Sequence, residues 1–122
     1  MPRPPELQQQ TCALEESDTY AFVVSLNRPE WDLVFAPELE RLLESSYSHP
    51  GVVIDMSKVR FIDSTCLGKF VKMRKERGAR GLAVERIVIP NENIRRVFAL
   101  VRFDRIWPLY LSLSEAMAAD PS

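Results

Sequence analysis

Apolar and polar positions along the 122-residue chain follow two rhythms that alternate. Residues 19–26 (TYAFVVSL) are β-branched and aromatic and predict a strand, paired with a shorter one near residues 11–16. Asn27-Arg28-Pro29 breaks that pattern. Pro37 suits the first turn of a helix, and Leu39, Leu42, Leu43 and Tyr47 follow at helical spacing. Its outer face carries Glu38, Glu40 and Glu44. His49-Pro50-Gly51 reads as a turn, and residues 52–56 (VVIDM) as a short, fully buried strand.

Phe61 and Ile62 lead into Asp63, Ser64 and Thr65, three N-cap residue types in succession, so a second helix is expected there. Leu67, Phe70 and Val71 form its inward stripe, with a basic outer face of Lys69, Lys72, Arg74, Lys75 and Arg77. Gly78 and Gly81 mark its end. Residues 86–89 (RIVI) predict another buried strand, closed by Pro90. Residues 92–102 place Ile94, Val97, Phe98 and Val101 on one helical face. Ser112 and Glu115 form a capping box that opens a last short helix, with Leu111 and Ala116 as its hydrophobic staple. Strands and helices that alternate in this way argue for an α/β domain, its helices covering a mixed sheet.

Composition narrows the function. Hydrophobic residues make up 46% and charged residues 27%, ordinary for a single globular domain, and no repeat divides the chain. Residues 1–10, rich in Pro and Gln, read as a flexible tail before a domain at residues 11–119. The longest apolar runs are five residues, against the ~20 that span a bilayer, and no apolar signal core opens the chain; a cytoplasmic location without membrane insertion is expected. Cys12, Cys66 and the lone His49 match no metal-ligand spacing, and the glycines at 51, 68, 78 and 81 form no phosphate loop. A Cys66–His49 nucleophile pair lacks a third, orienting group. Neither an enzyme nor a metal or cofactor is indicated. The net charge of −1 hides a split: residues 1–55 hold ten acids and three bases, residues 56–122 seven acids and thirteen bases.

Asp63-Ser64 is the one feature with chemistry. A serine where a buried strand meets a helix lies beside free backbone N–H groups and the positive end of the helix dipole. Two readings follow: an N-cap, which is the commoner outcome, or a phosphorylation site whose added charge would be stabilised by those N–H groups and repelled by Asp63.

The run from Val52 to Met56 followed by Val59-Arg60-Phe61-Ile62-Asp63-Ser64-Thr65-Cys66-Leu67-Gly68 resembles the central segment of STAS domains, the anti-sigma factor antagonists of bacteria. In that family a buried strand ends in an aromatic and an aliphatic residue, then Asp-Ser-Ser/Thr-Gly-aliphatic-Gly, and the serine after the aspartate is phosphorylated. The match falls on Asp63, Ser64, Thr65, Leu67 and Gly68. Glu30-Trp31-Asp32 ahead of Ala36-Pro37-Glu38-Leu39 resembles the segment before the family's first helix, and makes Asp32 the counterpart of an aspartate near the phosphoserine. Residues 94–100 with Phe103-Asp104-Arg105-Ile106 resemble the last motif.

The resemblance implies a four- to five-stranded mixed sheet covered by about four helices. It also implies a partner: unphosphorylated, such a protein binds an anti-sigma factor, a GHKL-type serine kinase, and so frees a sigma factor for transcription. The kinase phosphorylates the serine, here Ser64, and a phosphatase resets it. Asp32, Asp63 and Thr65 would shape the site, and Cys66, Gly68 and Lys69 would border the contact surface. No catalysis, cofactor or metal is implied, nor direct contact with nucleic acid, and the expected state is a monomer or weak homodimer.

Three positions depart from the family pattern. Cys66 replaces the glycine two residues after the phosphoacceptor, Asn27-Arg28-Pro29 replaces a glycine loop, and Val101-Arg102 stands where a glycine usually precedes Phe103-Asp104. Cys66 is expected to crowd the surface beside Ser64, and its thiol reads either as inert and half-buried or as activated by the helix N-terminus. The alternative function is therefore a non-phosphorylated interaction module, a scaffold or an accessory subunit of a transporter. The basic stretch from Lys69 to Arg80 raises nucleic-acid binding as a second class, but without interleaved aromatics it reads better as a solvated face or an electrostatic contact with an acidic protein.

Overall fold

The computed structural model describes residues 11–13 and 20–119; the tail expected over residues 1–10 lies outside them. β1 (Thr11–Ala13) and β2 (Tyr20–Ser25) pair antiparallel. Then come β3 (Glu30–Trp31), α1 (Ala36–Glu44), β4 (Val52–Asp55), β5 (Phe61–Ile62), α2 (Ser64–Ala79), β6 (Arg86–Val88), α3 (Glu92–Leu100), β7 (Leu109–Tyr110) and α4 (Leu113–Ala118). The main sheet has the order β1-β2-β4-β6-β7, and its pairings after β1–β2 are parallel. Parallel neighbours need crossovers, which α1, α2 and α3 supply. The expected α/β architecture, with five strands in a mixed sheet and four helices, is the one observed.

The period-two alternation of the strands divides the core. Phe22, Val24, Val52, Ile54 and Ile87 face α1, α2 and α3, whereas Ala21, Val23, Val53 and Val88 face α4. The larger cluster closes on aromatic edges: Phe70 meets Phe98 and Trp107, and Phe103 meets both of those rings. The extended piece after α3 joins the sheet as β7. A second, two-residue parallel pairing, β3 with β5, was not legible in the sequence, since strands so short carry no periodicity.

Three expectations are corrected. α3 ends at Leu100, two residues early, because Arg102 takes a left-handed conformation (φ 66°) that no helix continues through. Val71 is only half-buried. Arg77, expected on the outer basic face of α2, is fully buried. It follows Cys66, Phe70 and Met73 at successive intervals of four, three and four residues, so it falls on the inward stripe.

Burial of that charge is compensated completely. Arg77 Nε donates to Glu85 Oε2 (2.5 Å), and its remaining donors reach the backbone carbonyls of Ser46 (2.7 Å), His49, Pro50 (3.3 Å) and Ala83 (2.9 Å). All of the guanidinium's N–H donors are thereby used. Glu85, also fully buried, takes a second bond from Arg74 Nη1 (2.9 Å) and one from Trp107 Nε1 (2.7 Å). The cluster pins the C-terminal end of α2 to the loops that start β4 and β6.

Removing one partner of a buried pair leaves the other charge unpaired, at a cost of about 3–5 kcal/mol. Arg77→Met should lower stability by that amount in urea denaturation. Arg77→Lys should recover only part of it, since an ammonium offers three donors where the guanidinium offers five.

Candidate functional site

The β3–β5 pairing builds the site. Its register sets Glu30 beside Phe61 and Trp31 beside Ile62. Trp31 and Ile62 are buried and anchor the pair, and Asp63 N donates to Trp31 O (3.0 Å). The next residue of each strand is an aspartate, so Asp32 and Asp63 leave the pairing as neighbours.

Each aspartate then starts a helical segment. Asp32 Oδ1 accepts from Val34 N (3.0 Å) and begins a single 3-10 turn, Leu33–Phe35, that leads into α1. Asp63 is the N-cap of α2: its Oδ1 accepts from Cys66 N (2.9 Å) and its carbonyl from Leu67 N (3.0 Å). The capping role considered for Ser64 thus belongs to Asp63. Ser64 is the first residue of the helix, exposed, and its hydroxyl bonds to no described residue. The N–H groups of Ser64 and Thr65 are likewise unpaired among the described residues, as the first amides of a helix commonly are. Ser64 therefore offers a free hydroxyl beside free amide donors, at the positive end of a 16-residue helix and next to two carboxylates.

Cys66 points the other way. It is fully buried, with its Sγ donating to Asp32 O (3.4 Å), so it borders no contact surface and does not crowd Ser64. Burial, then the Asp63 carboxylate, push its thiol up to about 12, which removes the reading of an activated thiol. It also lies far from His49. Arg77, eleven residues along α2 from Cys66, is the residue that bonds the His49 carbonyl, so the two are separated by about 16 Å of helix. The His49 ring instead stacks on Phe22 with centroids 3.8 Å apart.

Gly68, one turn beyond Ser64 on the same exposed face, has nothing within 4 Å of where a Cβ would stand. The surface there is open backbone. Lys69 borders it but is tied to α1, its Nζ donating to Glu40 Oε1 (2.8 Å), while Lys72 bonds the other oxygen of the same carboxylate. Hydrogen bonds from Lys69 and then Lys72 pull Glu40 down to about 2. With Arg74 and Arg77 bonded to Glu85, and Arg80 stacked on Tyr47, most of the basic side chains of α2 are engaged within the domain.

The apolar rim of the site was missed in the sequence. Leu33, Val34 and Phe61 are 68%, 75% and 50% exposed around the two aspartates. The signal was present in the apolar run Leu33-Val34-Phe35, but which of its residues face water depends on the 3-10 turn that Asp32 caps. Among the described residues no His, Cys, Asp and Glu group could hold a metal ion, and no helix is long and apolar enough to cross a membrane.

Residues 14–116 match the STAS domain. The chain belongs to the STAS domain family. A solved structure of an anti-sigma factor antagonist from Mycobacterium paratuberculosis is 31% identical, aligned over 79% of this chain and 81% of that one, with a TM-score of 0.69. A Thermotoga maritima protein assigned as an anti-sigma factor antagonist is 38% identical over 66 residues; the match spans 54% of this chain and 58% of that protein's length. The Bacillus cell fate determinant SpoIIAA in its phosphorylated form, 16% identical, shares the fold with a TM-score of 0.59 over 79% of this chain and 86% of its own. Within the matched span, Asp32, Asp63, Ser64, Thr65 and Gly68 stand around the start of α2, and Cys66 is buried.

The buried thiol should resist alkylation at pH 8 until the domain unfolds. Because folding raises its pKa, the neutral thiol's contribution to stability is present below the ordinary thiol value of about 8.5 and is lost as pH rises toward 12. Urea midpoints of wild type and Cys66→Ala measured from pH 8 to pH 11 should converge as that contribution disappears.

Proposed function

We propose that this STAS domain is an anti-sigma factor antagonist that binds an anti-sigma factor serine kinase through the face around Ser64, and that phosphorylation of Ser64 switches the binding off. The observation that carries the reading is the free, exposed Ser64 hydroxyl at a helix start whose capping work is done by Asp63. A serine occupied as a cap would lose a structural bond on modification; here the switch residue and the structural residue are separate.

The physical sequence is short. Unmodified, the exposed Leu33, Val34 and Phe61 with the bare backbone at Gly68 form a face that a partner can cover. Phosphate at Ser64 adds about −1.5 to −2 charge beside Asp32 and Asp63. Within the free domain the Ser64 and Thr65 amides and the α2 dipole stabilise it. Inside a covered interface it must shed water next to two carboxylates, so the partner leaves. Binding of the unmodified form frees the kinase's sigma factor, and dephosphorylation of Ser64 by a phosphatase resets the cycle in the cytoplasm; the antagonist itself performs no catalysis and uses no cofactor. Cys66, buried as it is, gives no reason to prefer a module that is never phosphorylated.

With the cognate kinase and ATP, wild type should take up phosphate, and Ser64→Ala should bind as wild type but take up none. Ser64→Glu should bind at least about tenfold more weakly, a loss of ~1.4 kcal/mol. Labelling of Ser64→Ala equal to wild type, or a complex insensitive to ATP, would overturn the reading; the latter outcome would point to a scaffold or a transporter accessory subunit.

A further inference from the structure

A second exposed apolar face lies at the other end of the domain. β2, β4 and β6 all end at the edge where the Ser64 site stands, as Leu26 N bonding Asp55 O and Met56 N bonding Val88 O show. α3 starts from that edge, at its N-cap Asn91, and returns toward the other. There the turn after α3 packs beside the start of β6, with Trp107 bonded to Glu85. The turn exposes Leu100 (76%), Val101 (42%) and Ile106 (43%). Between them stand Arg102 and Arg105, both exposed and neither in an ion pair with a described residue; Asp104 is the one acid. Arg102 holds the left-handed backbone (φ 66°) that favours glycine, and its side chain is exposed there.

The Ser64 end has the opposite character. Leu33, Val34 and Phe61 are accompanied by Glu30, Asp32 and Asp63, none of them paired to a described cation; of the bases beside them, Arg28 and Lys69 are bonded to Glu38 and Glu40, and Arg60 is in no ion pair with a described residue. The two faces are matched in kind, each with three large apolar side chains, and complementary in charge. They cannot meet within one molecule, because α2, 16 residues and about 24 Å long, spans the distance between the ends.

We propose that this chain associates with a second copy of itself head to tail, the Ser64 face of one protomer docking on the turn of residues 100–106 of the next. The pairing is heterologous, so it extends into chains or closes into rings, and salt weakens it. It also makes self-association and binding at the Ser64 face mutually exclusive, a consequence that rests on the function proposed above.

The test uses one variant blocked at each end. Val34→Glu disables the head and Leu100→Glu the tail, both at strongly exposed positions that leave the core intact. Sedimentation of the full chain up to about 1 mM should show concentration-dependent association for wild type and a monomer for each variant alone. A one-to-one mixture should yield a heterodimer, because one variant keeps an intact head and the other an intact tail. Arg102→Glu with Arg105→Glu should weaken wild-type association at least about tenfold. A wild type that stays monomeric, a dimer formed by either variant alone, or a mixture that stays monomeric overturns the proposal. No kinase or ATP enters the experiment, so its outcome is independent of the phosphorylation of Ser64.

Discussion

The buried guanidinium of Arg77 fixes the position of the helix on which everything else depends. Its bonds to Glu85 and to the carbonyls of Ser46, His49, Pro50 and Ala83 tie α2 to the loops that launch β4 and β6. Glu85 extends the same tie to Arg74 and Trp107. A charge taken wholly out of water is tolerable only when every donor is met, and the loops are therefore held as firmly as the charge is. With its C-terminal end clamped in this way, α2 has little freedom in where its N-terminus points.

The N-terminal end is set by a different device. Two residues of parallel pairing between β3 and β5 bring Asp32 and Asp63 together, and Asp63 caps the helix. Ser64 is left with no structural duty, in a first turn that has amide donors to spare. The proposed switch rests on electrostatics: a phosphate at this spot would be stabilised in open water and repelled beneath a partner, because two carboxylates stand beside it and desolvation strengthens their repulsion.

Much of this could be read from the sequence, for reasons that differ by element. Strands β2, β4 and β6 announced themselves through short apolar and β-branched runs, α1 to α3 through helical apolar spacing and α4 through its capping box, and the Asp63-Ser64-Thr65 run marked where α2 begins. What stayed hidden was tertiary. Polarity assigned Arg77 to the surface, although its spacing from Cys66, Phe70 and Met73 put it inside; pattern outweighs polarity when a fully bonded partner such as Glu85 is supplied from another segment. Cys66 was expected at the surface beside Ser64, but two residues along a helix turn by about 200°, enough to carry it into the core. The choice between Asp63 and Ser64 as cap needed the backbone angles that a string of three good cap residues cannot reveal.

The central proposal is that a partner covers the α2 start only while Ser64 is unmodified. Hydrogen exchange of this chain mixed with the proposed anti-sigma kinase, with and without ATP, reads that directly. Slowed exchange confined to residues 30–35 and 61–69 is expected in the complex, and its loss once ATP is added. Slowed exchange elsewhere, or protection at those residues that persists after Ser64 is phosphorylated, would contradict it.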